Sequence, residues 1–156
     1  MIRLSLFMTE SLIYNRKTAA DYEVLETFEA GIELLGLEVK SLRKNQGSLL
    51  GAHVTIRGGE AFIIALNIPA YQEKNTSKEY DPKRNRRLLL TKSEIHKLSS
   101  FEAKKGLTIV PISMYSKGKK IKVQISIVRG KKKYDKREHI KERETDREIR
   151  REFKDR

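Results

Sequence analysis

Four cations fall within five positions in Asp81-Pro82-Lys83-Arg84-Asn85-Arg86-Arg87, and a second group, Ser116-Lys117-Gly118-Lys119-Lys120, is followed by Lys122. A third run, Arg129-Gly130-Lys131-Lys132-Lys133-Tyr134-Asp135-Lys136-Arg137, sets an aromatic ring among six cations. These residue types can pair with phosphate, and Tyr134 offers a stacking face to an unpaired base. A charge run is most often a solvated face. Here, separate elements of one small chain concentrate positive charge, which solubility alone does not require. Nothing comparable points to catalysis. His53, His96 and His139 are scattered, and none shares metal-ligand spacing with another His or a carboxylate pair. No phosphate-cradling glycine loop or nucleophile elbow is present, since Gly58-Gly59 and Gly118 are explained by turns. The chain has no Cys, hence no disulfide framework, zinc knuckle or thiolate chemistry. The residues indicate binding rather than catalysis, without a metal or cofactor.

The charge balance narrows the partner. The formal net charge is +13, and the segment from Arg129 onward holds 13 Lys/Arg against 8 Asp/Glu, leaving +8 on residues 1–128. Body and tail are both basic, as expected for a protein that meets a polyanion. No apolar run approaches the roughly 18 residues of a spanning helix, and the tail lacks an amphipathic membrane-binding face. Nucleic acid is therefore favoured over a membrane. Met1–Met8 is too short and too weakly apolar for a signal peptide, so a cytoplasmic protein is expected. Met8 could itself be a translation start. The organisation expected is an extension over 1–14, a domain over 15–128 and a basic tail over 129–156. With Tyr134, Ile140, Ile149 and Phe153 as its main apolar residues, the tail cannot build a docking stripe and should order only against an anionic partner.

The elements that must position these residues are short. Tyr22 to Leu35 reads as extended, with Ala30-Gly31 as a bulge or bend between two half-strands. Leu35, Val39 and Leu42 mark a helical stripe, with Glu38, Lys40 and Arg43 pointing elsewhere and Asn45-Gln46-Gly47 ending the helix. Strands follow at Ala52–Arg57 and Glu60–Leu66, joined by Gly58-Gly59, and the second is apolar enough to be buried on both faces. Pro69 to Arg87 reads as a long basic loop. Thr91-Lys92-Ser93-Glu94 is a capping box opening a helix that Gly106 should cap. Leu107–Tyr115 and Ile121–Val128 form a hairpin, its second strand alternating Ile121, Val123, Ile125 and Ile127 with Lys122, Gln124 and Ser126. The expectation is a mainly β fold: a small oligonucleotide-binding-fold-like barrel of about six strands with two short flanking helices. The basic tail should be disordered when free.

Several motifs together carry a resemblance. Phe28-Glu29-Ala30-Gly31-Ile32, then Gly36-Leu37-Glu38-Val39-Lys40-Ser41-Leu42-Arg43, resembles the signature of the small protein B (SsrA-binding protein) family. So do Asp81 to Leu90, Gly106-Leu107-Thr108 with Val110-Pro111, Arg129-Gly130-Lys131-Lys132, Tyr134-Asp135-Lys136-Arg137 and Ile140-Lys141-Glu142-Arg143. The similarity spans about residues 15 to 144. It implies an oligonucleotide-binding-fold-like barrel that binds the tRNA-like domain of transfer-messenger RNA and brings it to stalled bacterial ribosomes. It further implies a monomer without catalytic activity, working in a complex with elongation factor Tu and GTP. The RNA-facing positions implied are Asn15, Tyr22, Glu29, Arg43, Leu89 and Lys122. The implied ribosome-facing positions, in a tail that enters the vacant mRNA channel and decoding centre, are Gly130, Lys131, Lys132, Tyr134, Asp135, Lys136, Arg137, Ile140, Lys141 and Arg143.

The chain departs from the family pattern at some positions. Tyr134 stands where His is common, Gly51 and His53 replace an Asp and an aromatic, and Arg87 replaces a Lys, which alters hydrogen-bond geometry. Thr145–Arg156 reads equally well as generic charge, with Glu144 and Glu148 near Arg147 and Arg151. The alternative function is a basic structural ribosomal protein that binds ribosomal RNA. A cold-shock-like single-strand binder would need an aromatic platform that the scattered Tyr and Phe do not supply.

Overall fold

In the computed structural model, residues 9–130 are described apart from 73, 75 and 77. Seven antiparallel strands and three helices are formed among the described residues. The strands are β1 (Thr9–Tyr14), β2 (Tyr22–Ile32), β3 (His53–Arg57), β4 (Glu60–Ile64), β5 (Arg86–Leu89), β6 (Leu107–Lys117) and β7 (Lys120–Gly130). The helices are α1 (Arg16–Asp21), α2 (Gly36–Arg43) and α3 (Lys92–Glu102). The strands lie in one sheet in the order β1-β6-β7-β2-β5-β4-β3. That sheet is not closed by hydrogen bonds, so the expected barrel is a curled sheet. α3 packs on both β3 and β6 where closure would fall, and Leu98 on its inner face is fully buried.

Local chemistry accounts for the elements. On β7, Ile121, Val123, Ile125 and Ile127 point into the core, as their alternation with polar residues requires. Gly58 and Gly59, at φ 57° and 75°, make the tight turn between β3 and β4, where both central residues need positive φ. Thr91 caps α3, its hydroxyl accepting the Glu94 amide at 3.2 Å while the Glu94 carboxylate accepts the Thr91 amide at 3.0 Å. α2 ends as Asn45 turns left-handed (φ 59°), with the Gln46 amide donating to Ser41 at 3.0 Å and the Asn45 amide to Leu42 at 2.9 Å.

Several expectations are corrected. β1 pairs with β6, so residues 9–14 are part of the sheet and not an extension. β7 likewise runs to Gly130, two residues past the expected domain end. The irregularity of β2 falls between Val24 and Glu26; Ala30 and Gly31 stay in register with Val123 and Lys122. Gly31 instead marks where β2 takes β5 as its other neighbour, pairing with Leu89. The basic loop ends earlier than expected, because Arg86 and Arg87 are already in β5. β4 buries Ala61 and Ile63 but leaves Phe62 and Ile64 half-exposed. Helix α3 ends at Glu102 with Ala103 as its C-cap, ahead of Gly106. The tail beyond Gly130 lies outside the described residues.

Candidate nucleic-acid interface

Strand register aligns a row of side chains across four strands: Tyr115 of β6 faces Lys122 of β7, which faces Gly31 of β2, which faces Leu89 of β5. These positions share the outer face of the sheet, opposite the buried Ala30, Val123 and Met114. Gly31 adds no side chain, and Leu89 leans over it: a Cβ built there would lie 3.1 Å from Leu89 Cβ. Leu89 nevertheless stays 48% exposed, an apolar ledge beside a lysine. Two residues along β2 on the same face, Glu29 accepts the Tyr115 hydroxyl and pairs with Lys117 at 3.3 Å. The tyrosine's bond outweighs partial burial and holds the Glu29 carboxyl below its ordinary value, with Lys117 and Lys122 acting in the same direction. Burial and the neighbouring carboxylate push the Tyr115 phenol up, so it remains a donor at neutral pH. Glu29, Leu89 and Lys122 thus come together on one surface, three of the six positions expected from the sequence to face RNA.

Arg43, at the end of α2, joins this end of the sheet. Its Nη2 donates to the Lys119 carbonyl at 3.3 Å and its Nη1 to the Ser116 hydroxyl at 3.5 Å. The guanidinium therefore rests on the β6–β7 turn amid Lys117, Lys119 and Lys120. Lys117 and Lys120 lie directly opposite one another, a like-charge pairing that is unfavourable in isolation and suits a surface that meets an anion. Asn15 and Tyr22 stand apart. They line a cavity of about 440 Å³ together with Gly51 and His53. Asn15 is fixed by its side chain donating to the Leu49 carbonyl at 3.4 Å. Nine residue steps along β2 separate Tyr22 from Gly31, about 30 Å at strand rise.

The basic cluster at 83–87 does not form a surface of four free cations. Arg86 is fully buried and pairs with the equally buried Glu38, its Nε donating to Oε2 at 2.7 Å. Its other nitrogens donate to the carbonyls of Leu66 at 2.7 Å and Pro82 at 2.9 Å. Arg84 reaches the same carboxylate at 2.5 Å, and the Tyr80 hydroxyl donates to it at 3.1 Å. Desolvation raises the Glu38 pKa, but the bonds from Arg84, the Leu35 amide and Arg86 overcome it and leave the carboxyl below its usual value. Glu38 thus points inward, contrary to the helical reading, and pins the loop ahead of β5 to α2. Arg87 is on the outer face, bridging Glu33 at 3.3 Å and Glu60 at 3.5 Å. Lys83 stands on the loop beside Asp81, whose side chain accepts its amide at 2.9 Å.

Residues 12–155 match the family model described as SmpB protein. The chain belongs to the SmpB family. It is 50% identical over 137 residues to the SsrA-binding protein of Thermosipho africanus, covering 86% of this chain and 91% of that one. With the SsrA-binding protein of Clostridium botulinum it shares 43% identity over 148 residues, 95% of this chain and 94% of the relative. A chain in the solved structure described as "tmRNA-SmpB: a journey to the center of the bacterial ribosome" superposes with a TM-score of 0.66 at 40% identity. That match covers 78% of this chain and 85% of the other. Tyr115, which bonds Glu29 on the outer face, was not singled out from the sequence; its place at the end of a β6 already read as a strand was the available signal. Gly130, first of the predicted ribosome-facing residues, closes β7 opposite Tyr22. Lys131, Lys132, Tyr134, Asp135, Lys136, Arg137, Ile140, Lys141 and Arg143 lie outside the described residues. Among the described residues no helix is long and apolar enough to cross a membrane.

Proposed function

We propose that this protein binds the tRNA-like domain of transfer-messenger RNA and delivers it to bacterial ribosomes stalled without a stop codon. The observation that supports it most is the four-strand row Tyr115–Lys122–Gly31–Leu89 with Glu29 beside it, in a chain of the SmpB family. Such a surface suits a folded RNA with an exposed unpaired base: lysines for phosphate, an apolar ledge for the base and an acceptor for its edge. Asn15 and Tyr22 add a second contact at the cavity they line, and Arg43 a phosphate contact at the turn. The tail from Lys131 enters the vacant mRNA channel and decoding centre. The protein acts as a cytoplasmic monomer without catalysis, and elongation factor Tu with GTP shares the RNA complex.

A gel-shift with transfer-messenger RNA, ordinary tRNA and a ribosomal RNA stem-loop tests this. The expected result is tightest binding to the first, weakening steeply as salt rises. Equal affinity for all three at physiological salt would overturn it, and preference for the ribosomal stem-loop would favour a structural ribosomal protein.

A further inference from the structure

We propose that Tyr115 is a positioning residue that makes Glu29 a reader of one unpaired guanine, with Leu89 as the ledge beneath the base. This rests on the RNA-binding function above and adds the identity of the base. An ionised carboxylate offers roughly four lone-pair sites and no proton. In Glu29 the Tyr115 hydroxyl takes one site on Oε2, and Lys117 Nζ takes one on Oε1 at 3.3 Å. Each oxygen keeps an open site, so the group remaining is a planar pair of acceptors on an exposed face. Guanine presents the complement, since the adjacent N1–H and N2–H donors of its Watson–Crick edge match a carboxylate in parallel. Adenine and cytosine each show only an amino donor beside a ring acceptor that a carboxylate repels, and uracil has a single N–H between carbonyls. Tyr115 matters because it anchors the carboxylate from β6, reaching across β7, two positions from the row that holds Leu89 over Gly31. Lys122, across from Gly31, is placed for the phosphate of the same nucleotide.

The test is equilibrium binding of the full chain to a tRNA-like RNA in which each unpaired guanine is replaced in turn by inosine, which lacks the N2 amino group. At one position the wild-type protein should lose roughly tenfold in affinity, the scale of a bidentate base contact. Tyr115→Phe should bind the unmodified RNA more weakly and discriminate guanine from inosine less at that position. Glu29→Gln, whose exposed side chain bears no fold, should abolish the discrimination and serves if Tyr115→Phe does not fold. If the wild type prefers the tRNA-like RNA but shows no inosine-sensitive position, or Glu29→Gln retains the full discrimination, the inference is wrong. If the wild type shows no preference for that RNA, the functional reading fails first, and the two failures are separable.

Discussion

Glu38 illustrates how one residue holds a loop that composition alone would leave free. It is wholly buried with Arg86, and breaking such a pair by removing one charge leaves the other uncompensated. Glu38→Gln should therefore destabilise the fold by about 3–5 kcal/mol, read as a lowered midpoint in denaturant. The pH dependence has a defined sign. Because the folded-state pKa lies below the ordinary 4.5, Glu38 contributes stability that is fully present above pH 4.5 and is lost as pH falls through the lowered value. The wild type should lose stability in that acid window more steeply than Glu38→Gln, and parallel curves from denaturant titrations at pH 3 to 6 would refute the assignment. Glu38 lay within reach of sequence reasoning, being i+3 from Leu35 and i−4 from Leu42 and hence on the helix's inner face. Its charge argued for solvent. Its partners Arg84 and Arg86 are 46 and 48 residues away, where no local pattern points to them.

Among the elements, legibility followed periodicity. The β6–β7 hairpin was readable because Ile121, Val123, Ile125 and Ile127 of β7 fall on one phase of a period of two. β1 was not, because a register shift between Ser11 and Ile13 lets adjacent Leu12 and Ile13 both turn inward, erasing the alternation. α1 spans only Arg16–Asp21 and has no side-chain cap, so neither of the usual helix signals was available. The capping box announced α3, but not its place across the gap between β3 and β6, which depends on strand order. That place makes α3 a seal. Its last residue, Glu102, also accepts the Ile56 amide on edge strand β3 at 2.9 Å, covering a donor that would otherwise invite another strand. Leu98→Ala, at a fully buried position, should cost about 2–5 kcal/mol. It should also speed hydrogen exchange in α3 and β3 more than in the β6–β7 hairpin. Uniform acceleration across all strands would show that the helix does not act as a separable seal.

Positive charge is concentrated in two segments of the chain. One is the β6–β7 turn with Lys117, Lys119, Lys120, Lys122 and Arg43; the other is the sequence that follows Gly130, the last residue of β7. Ten residue steps of strand separate Lys120 from Gly130, about 33 Å at strand rise. Beyond Gly130 lie 12 Lys/Arg and 8 Asp/Glu, which leaves +9 of the net +13 on residues 1–130. A body so charged should hold RNA without the tail. The boundary has to respect the sheet: Arg129 and Gly130 pair with Glu23 and Tyr22, so a cut after Val128 would remove partners from β2, including that of Tyr22, which lines the cavity with Asn15. A chain ending at Gly130 should bind the tRNA-like RNA within about tenfold of the full protein. Its plot of log affinity against log salt should stay steep, since each phosphate contact contributes a slope of roughly 0.7 to 0.9, and the turn and Arg43 remain. Tagging of peptides on stalled ribosomes should nevertheless disappear, because the segment proposed for the mRNA channel is gone. If the shortened chain loses RNA binding altogether, tail and body act on one RNA surface, and the two segments are not separate functional units.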